Sequence, residues 1–328
     1  MSRWSHRFAI LTAVMLIAAA AAPRSAGAQA AYPSQGIRIV VPYAPGGAVD
    51  VVARKVAQKL SEQTGQSFFV ENKPGASGTI GAQSVIRAAP DGYTLLALDN
   101  TFALLPFVFK KLPWEGDLPV VPIAVSAYTP VLVLVNSDSK YNDLASLIAF
   151  AKANPDKLTY GTGGNGSAPH FSAEAFQQAA GVKLSHIPYK GAGEAVTGLV
   201  GGQIDLVLLS TGSVASQIKA GKLRPLAASG SKRLASFPNV PTFAEAGLPG
   251  FGIVNWSGLV APVGTPKDVI ARLNAEVKKA LDTPDMKAFL ANLSADPGGG
   301  DPDAFSKLMK DENARWSVVA KKVDIEKQ

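Results

Sequence analysis

Cysteine is absent from the 328 residues, which removes disulfide bridges, thiolate nucleophiles and Cys-based metal sites together. Stability therefore has to come from a buried core. Histidine is scarce too: His6, His170 and His186 are the whole complement, without His-x-x-x-His or His-Glu-x-x-His spacing, so no metal site is expected. Charged residues make up only 17% and form no Lys/Arg run interleaved with aromatics, which excludes nucleic acid as a partner class. After residue 22 no apolar stretch reaches the ~18–20 residues that a bilayer span requires. A Walker G-x-x-x-x-G-K-[ST] pattern is missing, and the nearest approach to G-x-S-x-G is Gly75-Ala-Ser77-Gly-Thr79, without the final glycine.

What is present begins with a secretory pattern. Arg3 and Arg7 precede an apolar run over 8–22, and Ala26-Gly27-Ala28 supplies the small residues of a cleavage site. Residues 1–30 are expected to be removed after Ala28 or Ala30, which sends the mature chain to the periplasm. Arg3, Arg7 and Arg24 carry three of the net +7 charges, so the remainder holds about +4. Roughly 300 remaining residues exceed what one core usually holds, and two domains are expected. The 47% hydrophobic content is that of a globular protein.

Apolar periodicity alternates between strand and helix. The segment 36–42 reads as a β-branched strand, and apolar residues 49, 52, 53, 56, 57 and 60 recur at helical spacing. The same reading gives strands over 67–70, 93–98, 131–135, 158–160, 183–187, 204–209 and 253–261. It gives helices over 80–89, 144–153, 168–179, a stretch ending near 200, and a C-terminal pair over 266–281 and 302–322. Strands alternating with helices imply mainly parallel sheets. The second lobe is expected as an insertion between two crossing strands: 31–131 with 255–328 form one lobe, and 132–254 the other.

Four glycine-rich loops sit where a strand hands over to a helix. They are Tyr43-Ala-Pro-Gly-Gly-Ala-Val-Asp50, Pro74-Gly-Ala-Ser-Gly-Thr-Ile-Gly81, Gly161-Thr-Gly-Gly-Asn-Gly-Ser-Ala-Pro-His170 and Pro188-Tyr-Lys-Gly-Ala-Gly-Glu194. A helix start presents about four unpaired N–H groups and roughly half a positive charge, so it receives an anionic oxygen without a basic side chain. Hydroxyls of Ser77, Thr79, Thr162, Ser167 and Tyr189 stand in or beside these loops, with Lys190 as the one basic residue inside them. Gly161 to Gly166 also satisfies G-x-G-x-x-G, the basis of a rival reading as a nucleotide-dependent enzyme, but the acidic residue expected about 20 positions on is missing. His186 reads as structural, and Asp50 as a residue favouring its own helix start.

These segments together resemble the Bug family, the periplasmic substrate-binding proteins of tripartite tricarboxylate transporters. The resemblance runs through Ile37-Arg-Ile-Val-Val-Pro-Tyr-Ala-Pro-Gly-Gly-Ala-Val-Asp50, Glu71-Asn-Lys-Pro-Gly-Ala-Ser-Gly-Thr-Ile-Gly81 and Pro90-Asp-Gly-Tyr-Thr-Leu-Leu96. It continues through Tyr160-Gly-Thr-Gly-Gly-Asn-Gly-Ser167, His186-Ile-Pro-Tyr-Lys-Gly191, Asn239-Val-Pro-Thr-Phe-Ala-Glu-Ala-Gly-Leu-Pro-Gly250 and Ala261-Pro-Val-Gly-Thr-Pro266. It implies an α/β, two-lobed periplasmic-binding-protein fold of the Venus flytrap, type II-like kind, with a mainly parallel sheet in each lobe and the ligand in the interlobe cleft. Carried over by motif, first-lobe contacts are Tyr43, Pro45, Gly46, Gly47, Ser77, Gly78 and Thr79. Second-lobe contacts are Thr162, Gly163, Asn165, Gly166, Ser167, His170, Tyr189 and Asp205. Two stretches depart from the family pattern, 114–126 and Leu208-Leu-Ser-Thr-Gly-Ser213, the latter a candidate to face the cleft.

The function expected is capture of a small organic mono- or dicarboxylate by a monomer that hands it to integral-membrane transporter subunits, with no cofactor and no catalysis. A ligand sensor serving a signalling partner is the alternative of the same shape. The sequence leaves open whether the ligand is citrate-like, an amino acid, an aromatic acid or neutral.

Overall fold

The computed structural model describes residues 32–249, 251–320 and 327; the expected leader, 1–30, and residues 321–322 of the expected last helix lie outside the described residues. Two compact units are present, 1–34 and 35–328. Of the first, Tyr32 to Ser34 are described, with a cis Tyr32–Pro33 bond. All named strands and helices belong to the second.

In chain order the first elements are β1 (Ile37–Val41), α1 (Ala48–Thr64), β2 (Phe68–Asn72), α2 (Thr79–Ile86), β3 (Thr94–Asp99) and α3 (Thr101–Val108). A long strand, β4 (Val120–Asn136), leads to α4 (Leu144–Ala153), β5 (Thr159–Thr162), α5 (Ala168–Ala180), β6 (Ser185–Pro188), α6 (Ala192–Val200), β7 (Leu206–Ser210), α7 (Thr211–Lys219) and β8 (Leu223–Ala228). The chain returns through β9 (Val254–Pro262) and closes with α8 (Lys267–Asp282), α9 (Pro284–Asn292), β10 (Asp296–Gly299) and α10 (Pro302–Ala320).

Strands follow the order β2-β1-β3-β9-β4-β7-β5-β6, with β8 and β10 also paired to β4. Each lobe is built on strands joined by helical crossovers, and those strands are parallel: β1 with β2 and β3, β5 with β6 and β7. The strands β4, β8, β9 and β10 add antiparallel pairs.

The lobes are joined along β4. Its residues Val120 to Pro130 pair with β9, and Val131 to Val135 pair with β7. The handover falls at Pro130, which has no N–H to give to a ladder. Past it, Val131, Val133 and Val135 face a core containing Tyr160, Phe171 and Phe176, while Leu132 and Leu134 face another containing Leu199, Val207 and Leu209. A strand covered on both faces needs no polar alternation, hence the continuous Val-Leu-Val-Leu-Val run. In the first lobe, Val40, Leu96, Leu98 and Val260 pack with Trp256 and Phe305. Helix α1 buries the stripe foreseen in the sequence, Val49, Val52, Ala53, Val56, Ala57 and Leu60. Its fully buried Val56 and Leu60 are each worth about 1.5–3 kcal/mol.

Several elements go beyond those expected. Helix α3 is apolar all round and contains Pro106, so it shows no helical period. Helix α7 starts Thr-Gly-Ser, poor helix formers that tertiary packing overrides. Strand β4 begins at Val120 because irregular pairing between Pro122 and Ala124 accommodates the proline. The C-terminal region holds a third helix, α9, opened by Thr283, whose hydroxyl accepts the Met286 N–H at 3.3 Å.

Because Leu134 is fully buried in the strand that joins the lobes, Leu134→Ala is expected to lower unfolding free energy by about 2–5 kcal/mol. Urea denaturation should show this as a lower midpoint with unchanged slope.

Candidate functional site

The Pro45-Gly46-Gly47 loop is shaped by Asp50, a buried carboxylate in the first turn of α1. Its Oδ2 accepts the Gly46 N–H at 3.0 Å and Arg54 Nε–H at 3.1 Å, and its Oδ1 accepts from Asn72 Nδ2 at 2.9 Å. Burial pushes the Asp50 pKa up, but hydrogen bonds from Arg54, Gly46 and Asn72 outweigh it and hold the carboxyl below its ordinary value. Asn72 also donates to the Tyr43 carbonyl at 3.0 Å, which fixes the loop's entry. The Tyr43 hydroxyl donates to Asp99 Oδ1 at 2.7 Å, and the same oxygen accepts the Thr101 N–H at 3.1 Å.

In the second lobe the Gly161 to His170 loop satisfies much of its own backbone. Gly164 N–H donates to Thr162 Oγ1 at 3.2 Å, and Gly166 N–H to His170 Nδ1 at 2.9 Å. Two of its amides are thereby withdrawn from any ligand phosphate, against a dinucleotide cradle. The bond from Gly166 also fixes the His170 tautomer, since Nδ1 must be unprotonated to accept it. His170 stacks on His186 with ring centroids 4.1 Å apart, and His186 stacks on Tyr160 at 4.9 Å. His186 Nε2 lies 2.6 Å from Thr162 Oγ1. Burial lowers the His170 pKa to about 3, with His186 beside it adding to the effect; burial lowers that of His186 to about 4.

The lobes meet closely. Ala48 N–H, at the start of α1, donates to Ser213 Oγ at 2.8 Å, and Ala168 N–H, at the start of α5, to Thr101 Oγ1 at 3.0 Å. Ser77 Oγ donates to the Asn165 carbonyl, and Asn255 Nδ2 to Ser210 Oγ at 2.8 Å. A Cβ on Gly193 would lie 2.2 Å from the Pro45 carbonyl oxygen, so only glycine lets α6 abut the Pro-Gly-Gly loop this tightly.

Between the lobes lies a cavity of about 40 Å³. Its wall combines the first turn of α1 (Gly47, Ala48, Val49, Asp50) with Tyr43, Asp99 and Thr101, and, from other elements, Gly163, Ser167, Pro169, Ala192, Leu209, Ser210 and Asn255. Among the described residues no Lys, Arg or His lines it. The first intrahelical bond of α1 runs from Val51 N–H to the Gly47 carbonyl, which leaves the Val49 and Asp50 N–H groups without a helical partner. Helix α7, with Ser210 at its N-cap position but no side-chain capping bond, brings a second start to the same wall. Helix α5 offers less, because Ala168 N–H is taken by Thr101 and Pro169 has none.

Of the residues nominated from sequence, Tyr43, Gly47, Gly163 and Ser167 line the cavity. Pro45, Gly46, Ser77 and Asn165 sit where the lobes abut or brace that contact. Gly78 packs against Phe102, Pro42 and Tyr43, while Thr79 is buried with its hydroxyl on the Ala76 carbonyl. Thr162 and His170 brace the second-lobe loop, and Gly166 is turned to Val108. The Tyr189 hydroxyl points to Gln203 at 3.5 Å. Asp205 is held apart from the others: its carboxylate accepts the N–H and hydroxyl of Thr159 at 2.8 and 2.9 Å, at the opposite end of β5 from Thr162. Lys190 is exposed and off the wall. Sequence reasoning missed Asp99, Thr101 and Asn255, whereas Ser210 belongs to the 208–213 stretch expected as a candidate to face the cleft. The usable signal was polar residues directly following a buried apolar strand, Leu98-Asp-Asn-Thr101 and Leu209-Ser-Thr211. Among the described residues no group of three or more His, Asp or Glu is placed to hold a metal, and no helix is long and apolar enough to cross a membrane.

The histidine pair yields a measurable consequence. Folded His170 and His186 take up protons at about pH 3 and 4, whereas an unfolded imidazole does so near 6.5. The unfolded chain binds more protons between these limits, so stability should fall as pH drops from about 6.5 toward 4. Ring resonances in an NMR titration should show both histidines neutral down to about pH 5; protonation near 6.5 would contradict the buried stack.

Residues 52–325 match the family described as tripartite tricarboxylate transporter family receptor. BugT of Bordetella pertussis is 34% identical over 315 residues, covering 95% of this chain and 96% of that protein. The structure of Rpa4515 from R. palustris with adipate matches with a TM-score of 0.87 at 33% identity, over 90% of this chain and 100% of that one. MatC from Rhodopseudomonas palustris with bound malate matches with a TM-score of 0.82 at 33% identity, over 88% and 100%. Two lobes joined along one strand, a cleft faced by helix starts, and likeness over nearly the whole chain agree: the protein belongs to the Bug family of tripartite tricarboxylate transporter receptors.

Proposed function

We propose that the protein is a periplasmic solute-binding protein that encloses a small organic mono- or dicarboxylate and presents it, as a monomer, to the membrane subunits of a tripartite tricarboxylate-type transporter, without catalysing a reaction. The observation that carries this reading is the meeting of α1 and α7 starts at one cavity, on whose wall no described residue is basic. Relatives solved with adipate and malate supply the ligand class. Residues 1–30 serve as the export leader. One lobe comprises 31–131 with 255–328 and the other 132–254, in keeping with the change of partner along β4.

A single helix start is worth ~0.3–1 kcal/mol when exposed and up to ~2 when partly buried, whereas micromolar affinity needs about −8 kcal/mol. Binding therefore draws on several contacts at once. The Val49 and Asp50 amides, the α7 start, and the polar groups of Tyr43, Ser167, Ser210 and Asn255 provide them. The closed cavity, about 40 Å³, is far below the ~300–1,000 Å³ of most ligand sites, so capture requires the lobes to part about β4 and reclose on the solute. Ser77 offers no activated nucleophile: its hydroxyl donates to the Asn165 carbonyl, and both histidines are committed to the buried stack.

A thermal-shift panel of mono-, di- and tricarboxylates on residues 31–328 tests this. A true ligand at a hundredfold excess over Kd adds about 2.7 kcal/mol and raises Tm by several degrees. Gly193→Ala should leave the unliganded Tm close to wild type, because alanine suits a helix. It should weaken the ligand at least tenfold, because its methyl meets Pro45 only when the lobes close. Silence across the panel together with turnover of any compound would reverse the assignment.

A further inference from the structure

The cavity wall carries two acidic side chains, and they are matched differently. Asp50 has its counter-ion within the fold, Arg54 Nη2 at 3.0 Å. Asp99 has neutral donors only: the Tyr43 hydroxyl at 2.7 Å and the Thr101 N–H at 3.1 Å on one oxygen, with the Thr101 hydroxyl and its own backbone amide also bonded to the carboxylate. Asp99 lines the cavity, and none of these donors carries a charge to match its own. No cation among the described residues forms an ion pair with it, and no Lys, Arg or His lines the wall. Burial pushes the Asp99 pKa up, and a cation placed beside it would favour the charged form.

The geometry points to Asp99 as a specificity-determining residue that receives a cationic ammonium of the ligand, so that the solute is an amino-carboxylate and not a plain diacid. This rests on the carboxylate-capture reading above and narrows it. The ligand's carboxylate lies at the α1 and α7 starts, where N–H dipoles receive it. Its ammonium lies at the C-terminal end of β3, beside Asp99, Tyr43 and Thr101. A plain diacid puts two negative charges into a wall that already holds an unmatched one, which works against it.

Isothermal titration at pH 7.5 of residues 31–328 tests the idea with matched pairs that differ by one ammonium: succinate with aspartate, glutarate with glutamate, and valerate with 5-aminovalerate. The expected result is at least tenfold tighter binding of the amino member in one or more pairs. In Asp99→Asn that advantage should shrink to threefold or less, while the plain acid binds as well or better. Asparagine keeps an acceptor for Tyr43, and the wild-type comparison stands even if the variant folds poorly. Plain acids binding wild type as tightly as their amino partners, or an advantage that survives Asp99→Asn, overturns the assignment of Asp99 and leaves carboxylate capture intact. Failure of all six compounds and of the wider carboxylate panel overturns both.

Discussion

Backbone N–H groups in the first turn of a helix have no partner inside it, and this shortage organises the interlobe cleft. Where the lobes meet, each lends a hydroxyl to the other: Ser213 accepts from Ala48, and Thr101 from Ala168. Such bonds are worth about 0.5–1.5 kcal/mol net apiece. A few of them hold the closed arrangement without making it irreversible. A trap has to be marginal in this sense, because a solute shifts the balance of open and closed forms only by its differential affinity for the two. Hydroxyl partners also avoid the desolvation cost that ion pairs would impose at every closure. The amides left over, at Val49, Asp50 and the start of α7, are what a carboxylate can use.

Much of the fold was legible because it obeys simple periods. The stripe of α1, the helix Leu144–Ala153 and the apolar run 131–135 follow directly from side-chain direction in helices and strands. Elements lacking a period were hidden. Helix α3 is apolar on every side and carries Pro106, so the amphipathic signal that betrays a surface helix is absent. The site divides similarly. Loops advertise themselves through glycine, and Gly47 and Gly163 do reach the cavity. Yet glycine marks close backbone approach of any kind, and Gly166 uses its freedom to pack on Val108. Asp99 and Asn255 carry no local motif, and Ser210 stood out only within a stretch that departs from the family pattern. They come together only because β3 and β7 end, and β9 begins, at one cleft, which is a property of topology.

The second-lobe loop shows why a motif match can mislead about donors. Gly161 to Gly166 has the spacing of a phosphate loop, but a phosphate loop works only if its amides are free. Here Thr162 and His170 occupy two of them, and the histidine is kept neutral by a stack that excludes water. The loop is thereby stiffened from within. Its rigidity places Gly163 and Ser167 on the cavity wall at little entropic cost on binding, the form of preorganisation that favours affinity in a small site.

Asp50 and Asp99 are the same residue in the same cleft, and their difference is one of environment. Asp50 is spanned by Arg54, Asn72 and the Gly46 amide, so its negative charge serves as a fastener that bends the Pro-Gly-Gly loop into position. That charge also offsets, at close range, the positive end of α1. The helix start is then a weaker generic anion site than its dipole alone would suggest, and the geometry of its remaining amides counts for more. Asp99 is held by neutral donors, Tyr43 and Thr101 among them, and no cation among the described residues forms an ion pair with it. A cleft that binds acids while keeping acids in its own lining has to discriminate by where each partial charge sits, and a sparse set of fixed dipoles with one unmatched carboxylate can do that where a cluster of arginines would accept any anion that fits.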